Sequence, residues 1–264
     1  MPSPIPIQAL EDARVADYHD LLDPARLVER GLFVAEGRLV VRQLLELRQW
    51  TVHSILLTPA AVDNLTDVLP LTHAPVYVAE QPVMDAIAGF NIHRGCLALA
   101  HRPVAATLDR IATGPLSRVL VMEGVNNPDN VGGLFRTAAA FGVGLVVLGP
   151  SCGDPLYRKA IRTSMAATLV VPFVTAPQWP GAITDLKIDG FTVAALTPHP
   201  LAVPLSGLPR QAKLALVVGA EGDGVSEAAM AASTLRVRIP MTTAIDSLNV
   251  TVAASIAMYH CWQE

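Results

Sequence analysis

From Leu39-Val40-Val41 through Leu44-Leu45 to Leu47, apolar residues recur at helical spacing, which predicts an amphipathic helix. The next run, Val52–Leu57, is short, apolar and closed by Thr58-Pro59, and reads as a strand. Pro75–Ala79 gives a second strand, Gln81–Ala88 a helix and Cys96–Ala100 a third strand. With residues 8–30 as a polar, helical lead-in, these elements make a small α/β unit. A boundary follows at His101-Arg102-Pro103-Val104-Ala105-Ala106, so the expected domains are 1–104 and 105–264.

Past that boundary the alternation restarts with different timing. Strands are expected at Arg118–Met122, Gly144–Leu148, Thr168–Pro172, Phe191–Leu196, Leu214–Val218 and Leu235–Ile239. Helices are expected notably at Gly132–Phe141 and Val250–Trp262. Near-continuous apolar strands alternating with helices call for a parallel sheet covered on both faces. Functional loops then belong at the carboxyl ends of the strands.

Composition narrows the class. The chain is 52% hydrophobic, yet its apolar runs at 143–148 and 214–220 are short; a bilayer needs about 20 residues. The start, Met1-Pro2-Ser3-Pro4, has none of the pattern of a signal peptide, so a cytoplasmic protein without membrane contact is expected. Cys96, Cys152 and Cys261 are odd in number and widely spaced, which predicts packed, reduced thiols and no metal site. A net charge of −4 argues against a broad basic face. Residues 1–104 carry 8 basic and 12 acidic side chains, and the remainder carries 11 of each. Any nucleic-acid contact must therefore use local clusters. One is Arg158-Lys159-Arg162, with Arg136 as a candidate neighbour, and the other is Arg26, Arg30, Arg38 and Arg42.

Three segments carry candidate chemistry. The first, Asn127 to Arg136, leaves a strand, turns through Asn127–Asn130 and enters a helix through Gly132-Gly133. A helix start offers unpaired N–H groups to an anion. Arg136 sits among Leu134, Phe135, Ala138 and Ala139, where burial is expected, and a buried guanidinium needs a partner. That partner is either Glu123 or Asp129, or a ligand. The second segment, Val217 to Ser226, is a strand running into a glycine-rich turn that lacks the dinucleotide spacing. Its glycines at 219, 222 and 224 permit left-handed backbone or close ligand approach, and Glu221 is pinned between them. Ser226 before Glu227 reads as a helix cap. The third segment, Ile239 to Val250, is a polar loop ending in two potential caps, Ser247 and Asn249. No histidine lies near any of the three, so Ser247 has no local base for hydrolase chemistry.

In this order and spacing, the three segments resemble the motifs of the SpoU/TrmH family of SPOUT RNA methyltransferases. The matching positions are Asn130 to Arg136, then Gly219-Ala220-Glu221-Gly222, then Ile239-Pro240-Met241 with Ser247-Leu248-Asn249. Arg162-Thr163-Ser164-Met165-Ala166 looks like the family's linking segment, with alanine at 166 where glycine is usual, a departure read as conservative. Gly31–Gly37 and His93–Ala98 resemble its N-terminal L30e-type substrate domain. The resemblance implies an α/β fold: a parallel-sheet SPOUT domain with a deep trefoil knot, plus a small N-terminal L30e-like α/β domain. Pattern rules give no such knot.

The implied activity is S-adenosylmethionine-dependent methylation of a ribose 2′-hydroxyl by a homodimer, with ribosomal RNA favoured by the extra N-terminal domain. The alternatives are a transfer-RNA substrate or an inactive RNA-binding homologue. By the same resemblance Arg136, Asn130, Glu221, Ser247 and Asn249 are catalytic. The cofactor falls to Leu196, Thr197, Gly219, Ala220, Gly222, Ile239, Met241, Ser247 and Leu248. Arg136, Arg158, Lys159, Arg162 and Arg38 are the expected RNA contacts. Because arginine stays protonated, Arg136 is expected to orient a phosphate and stabilise negative charge.

Overall fold

A computed structural model describes residues 3–19, 21, 23–92, 95–103, 116–242 and 246–262. His93 and Arg94, Val104-Ala105-Ala106, and Thr243-Ala244-Ile245 of the third segment lie outside the described residues.

The polar lead-in is shorter-ranged than a single helix. It holds strand β1 (Ile5–Pro6), a 3₁₀ turn (Ala13–Tyr18) capped by the Asp12 side chain, and helix α1 (Pro24–Glu29). Strand β2 (Leu32–Glu36) follows, then α2 (Arg38–Glu46), β3 (Val52–Leu57), α3 (Pro59–Leu65), β4 (Val76–Val78), α4 (Gln81–Ala88) and β5 (Cys96–His101). The five strands form one sheet in the order β1-β4-β3-β5-β2. Strands β1, β4 and β3 pair in parallel, while β5 runs antiparallel to both β3 and β2. β2 carries no alternation because all five of its residues are buried, so its period gives no warning of a strand. Tyr18, Leu32, Val34, Leu56, Met84, Ile87, Leu97 and Leu99 share one core, and the buried Tyr18 hydroxyl is satisfied by Ser54 Oγ at 2.9 Å.

The second sheet is built from β6 (Arg118–Met122), β7 (Leu145–Leu148), β8 (Phe173–Thr175), β9 (Thr192–Leu196), β10 (Val203–Pro204), β11 (Leu214–Val218) and β12 (Leu235–Arg238). Every pairing is parallel, in the order β10-β12-β9-β11-β6-β7-β8. Its helices include α5 (Pro128–Ala140), which starts four residues before the expected Gly132. The early start has a local cause: the Asn127 side chain accepts the Asp129 N–H at 2.9 Å, and Pro128 is preset for the first helical position.

Two compact units emerge by contact: residues 1–104 with 156–169, and 105–155 with 170–264. The inserted stretch holds α6 (Arg158–Thr163) and the start of α7 (Ala167–Val170), a helical turn where apolar spacing predicts the strand Thr168–Pro172. Ser164 Oγ accepts the Thr168 N–H at 3.3 Å, and the Leu169 carbonyl accepts from Gln49 Nε2 and Trp50 Nε1. These bonds hold a helical turn in place of a ladder, and pairing with β7 begins only at Phe173. Ahead of α7, Met165 and Ala166 both adopt left-handed backbone, with φ 54° and 66°. Alanine at 166 is therefore not a neutral replacement for glycine, because its Cβ is strained there. The remaining helices of the second unit are α8 (Gly181–Ile188), α9 (Glu227–Ala232) and α10 (Val250–Trp262). Among the described residues no helix is long and apolar enough to cross a membrane.

Candidate active site

Strands β9, β11 and β12 are neighbours in the sheet, and their carboxyl ends open into one cavity of about 390 Å³. It is lined by Leu196, Thr197, Gly219, Ala220, Gly222, Ile239, Met241, Ser247 and Leu248, all nine positions expected to hold the cofactor. Glu221, Asn249 and the first turn of α10 complete the wall. The glycine-rich turn is closed on itself, with Gly224 N–H donating to the Ala220 carbonyl at 3.0 Å. A Cβ on Gly219 would lie 2.0 Å from the Gly224 carbonyl carbon, so only glycine permits this closure. Gly222 and Gly224 sit at φ 93° and 71°, where side chains are rarely tolerated.

Asn249 joins all three segments. Its Oδ1 accepts the Thr251 N–H at 2.9 Å and the Val252 N–H at 3.4 Å, capping α10. That fixes the amide orientation, and Nδ2 then donates to Glu221 Oε1 at 2.8 Å and to Asn130 Oδ1 at 3.0 Å. Both donor hydrogens and the acceptor are used, and the bond to a carboxylate is the stronger kind. The first turn of α5, the turn after β11 and the start of α10 are thus linked through one side chain.

Beside this network lies a second cleft of about 580 Å³, sharing Ala220, Glu221 and Gly224 with the first cavity. Its floor includes Glu123, which is 8% exposed. Glu123 Oε1 accepts Trp179 Nε1–H at 2.5 Å, and Oε2 accepts the Ser226 N–H at 2.8 Å. Ser226 also caps α9 through the Ala229 N–H at 3.2 Å, as its position before Glu227 predicts. Glu123 enters the sequence reading only as a possible partner of Arg136. Its actual partners are 56 and 103 residues away, so no local spacing could reveal them.

The structure corrects the surroundings of Arg136. On α5, Leu134, Phe135 and Ala138 face inward while Arg136, Ala139 and Ala140 face outward, leaving the guanidinium exposed. Among the described residues it makes no ion pair to Glu123 or Asp129, and it lines neither cavity. Nearly two turns, about 9 Å of helix rise, separate it from Asn130.

The other basic positions are also differently disposed than expected. Arg158 and Arg162 meet Glu36, itself 5% exposed, at 3.2 and 3.4 Å, and Arg158 stacks over Phe90 at 4.1 Å. Of the N-terminal arginines, Arg30 pairs with Asp17, Arg26 with Asp23 and Arg42 with Asp67, while Arg38 is half-buried at the start of α2. Cys96 is buried, and that burial pushes its thiol up to about 12; Cys261 is raised in the same way to about 11. All three cysteines are free.

A parallel sheet with an apolar cavity at its carboxyl ends, walled by a glycine-rich turn and a capped helix start, defines an α/β enzyme that takes a nucleotide-like cofactor. Residues 117–259 match the SpoU rRNA methylase family, and the chain belongs to it. It is 40% identical over 256 residues to an uncharacterised tRNA/rRNA methyltransferase of Mycobacterium tuberculosis, covering 94% of this chain and 88% of that protein. It is 26% identical to the 23S rRNA (guanosine(2553)-2′-O)-methyltransferase RlmP of Bacillus subtilis, covering 96% and 98% of the two chains. In fold it matches the AdoMet-bound rRNA methyltransferase of Sinorhizobium meliloti, with TM-score 0.84 and 21% identity over 98% of this chain and 97% of that one. It likewise matches AviRb of Streptomyces viridochromogenes, solved with AdoMet, with TM-score 0.78 and 22% identity over 95% and 97%.

Proposed function

We propose that the protein is an S-adenosylmethionine-dependent methyltransferase that modifies a ribose 2′-hydroxyl in ribosomal RNA, working in the cytoplasm as a homodimer. One observation carries the reading: side chains from three distant segments meet at Asn249, beside a cavity lined by all nine residues expected to hold the cofactor. The ribosomal substrate is supported by the Bacillus subtilis relative, which aligns over nearly the whole of both chains.

The cavity suits this cofactor in its chemistry. Leu196, Ile239, Met241 and Leu248 offer apolar surface, and the bare backbone at Gly219 and Gly222 offers hydrogen-bonding groups at close approach. When bound, the sulfonium supplies an activated methyl group. The chain's own task is to hold the ribose hydroxyl in line and to manage its proton. Glu221 Oε1 is committed to Asn249, which holds the carboxylate still and leaves Oε2 as the oxygen that can accept from the hydroxyl. Ser247 supplies a neutral hydrogen bond to the sugar, and Asn130 holds Asn249 in place through its Oδ1. Arg136, exposed on α5, is available to a phosphate of the RNA backbone and steadies charge there rather than taking a proton.

Dimerisation is supported by α10. It buries Val250, Ala254, Ala257, Met258 and Trp262 on one face, yet leaves Val252, Ile256 and Tyr259 exposed on the other. A helix that is apolar on both faces calls for a second partner. Mapping 2′-O-methyl groups in ribosomal RNA from a deletion strain tests the substrate: one ribose methyl should vanish and return with the wild-type gene but not with Asn249→Ala. An unchanged ribosomal map, with a methyl missing from transfer RNA, would reject the ribosomal assignment.

A further inference from the structure

The cleft beside the cofactor cavity has a distinctive lining. Glu123, Glu221 and Asp223 are its titratable groups, joined by Asn126, Asn127 and Asn130, and no lysine, arginine or histidine is among its described lining residues. The amino end of α5 opens here through Asn126 and Asn127, but three carboxylates make the space hostile to a phosphate. It favours an uncharged ligand that donates hydrogen bonds.

Two groups in this cleft are unspent. Asn130 is 7% exposed, and its Oδ1 is held by Asn249, so its Nδ2 must point elsewhere. Among the described residues that amino group makes no hydrogen bond, although it belongs to a side chain on the cleft wall. Both oxygens of Glu123 are engaged, and Glu221 has given one oxygen to Asn249. Asp223 is exposed at the tip of the glycine-rich turn and forms no hydrogen bond or ion pair among the described residues.

We infer that this cleft is the subsite for the base of the methylated nucleotide and that it selects guanine, with Asp223 as the specificity-determining residue. The inference rests on the ribose methyltransferase reading, since a base is adjacent to the cofactor cavity only if its own ribose is the acceptor. Guanine presents N1–H and an exocyclic N2 amino group side by side, a pair that a carboxylate accepts with two parallel bonds. Its neighbouring O6 is an acceptor suited to a free amide donor such as Asn130 Nδ2. Uracil and cytosine each lack one of the paired donors, and adenine presents a ring acceptor where guanine presents N1–H.

Total RNA from a deletion strain, incubated with the full-length protein and S-adenosylmethionine and then digested to nucleosides, identifies the base by mass spectrometry. The expected product is 2′-O-methylguanosine; a ribose methyl on any other nucleoside overturns the inference while leaving ribose methylation standing. Absence of any ribose methylation by the wild-type protein overturns both. In a short RNA carrying the mapped nucleotide, Asp223→Ala should lower kcat/KM at least about tenfold, the range for losing a bidentate base contact, with cofactor affinity within about twofold. Inosine at the target, which lacks the N2 amino group, should cost the wild-type protein a similar factor and the Asp223→Ala protein nothing further. Independent, multiplying penalties, or wild-type rates for Asp223→Ala, would overturn the assignment.

Discussion

In the first unit the charged side chains are tied to one another: Arg30 to Asp17, Arg42 to Asp67 at 2.5 Å, and both Arg158 and Arg162 to the buried Glu36. In the second unit amides and carboxylates stand around the two cavities, and among the described residues Glu221 Oε2, Asn130 Nδ2 and the Asp223 carboxylate make no hydrogen bond. Paired charges hold a surface together. Unspent donors and acceptors beside a cavity are what a substrate can use. Of the basic cluster read from sequence, Arg158 and Arg162 answer a carboxylate 122 and 126 residues away, which no local spacing announces.

The sharpest way to break this contrast is at the glycine-rich turn. Gly219→Ala forces a methyl group to within 2.0 Å of the Gly224 carbonyl carbon, so the turn must open. Titration calorimetry should show cofactor affinity reduced by about a hundredfold or more, the scale of a displaced binding element. Asn249→Ala comes next. It unlinks the first turn of α5, the glycine-rich turn and the start of α10 and should slow methyl transfer about a hundredfold, while loss of the α10 cap costs about 1 kcal/mol in denaturant unfolding. On the other side of the contrast, Glu36→Ala strips two arginines of their shared partner. Stability should fall by about 2 kcal/mol, less than for a fully buried pair because the Arg162 side chain is 52% exposed. Cofactor affinity should stay within about twofold of wild type. Smallest is Ala166→Gly, which relieves a left-handed alanine and should raise stability by about 0.5–1 kcal/mol.

Where burial and period agree, the sequence and the fold coincide. Val52–Leu57, Gln81–Ala88, Arg118–Met122, Leu214–Val218 and Val250–Trp262 have the bounds that their apolar spacing predicts. β2 lies between two glycines with every residue buried, and it has no alternation to read. That nine residues of three segments line one cavity is legible because motif order and local context fix them to strand ends. Arg136 was misjudged because its buried neighbours on α5 say nothing of its own face, which a few tens of degrees of helical phase turn outward. The actual partners of Glu123 and the cleft that Asp223 lines are assembled from distant segments, so no local spacing announces them. The knot implied by the family is likewise beyond pattern: it is a property of how the chain is threaded, not of which residues are apolar.

The central claim is that the cluster around Asn249 serves methyl transfer to a ribose oxygen. The most direct measurement is transfer of labelled methyl from S-adenosylmethionine to RNA of a deletion strain by wild-type and Asn249→Ala proteins, followed by nuclease digestion and mass spectrometry of the nucleosides. Label on the ribose is expected with wild-type protein, and a loss of about a hundredfold with Asn249→Ala. Label on a base, or equal rates from the two proteins, would contradict it.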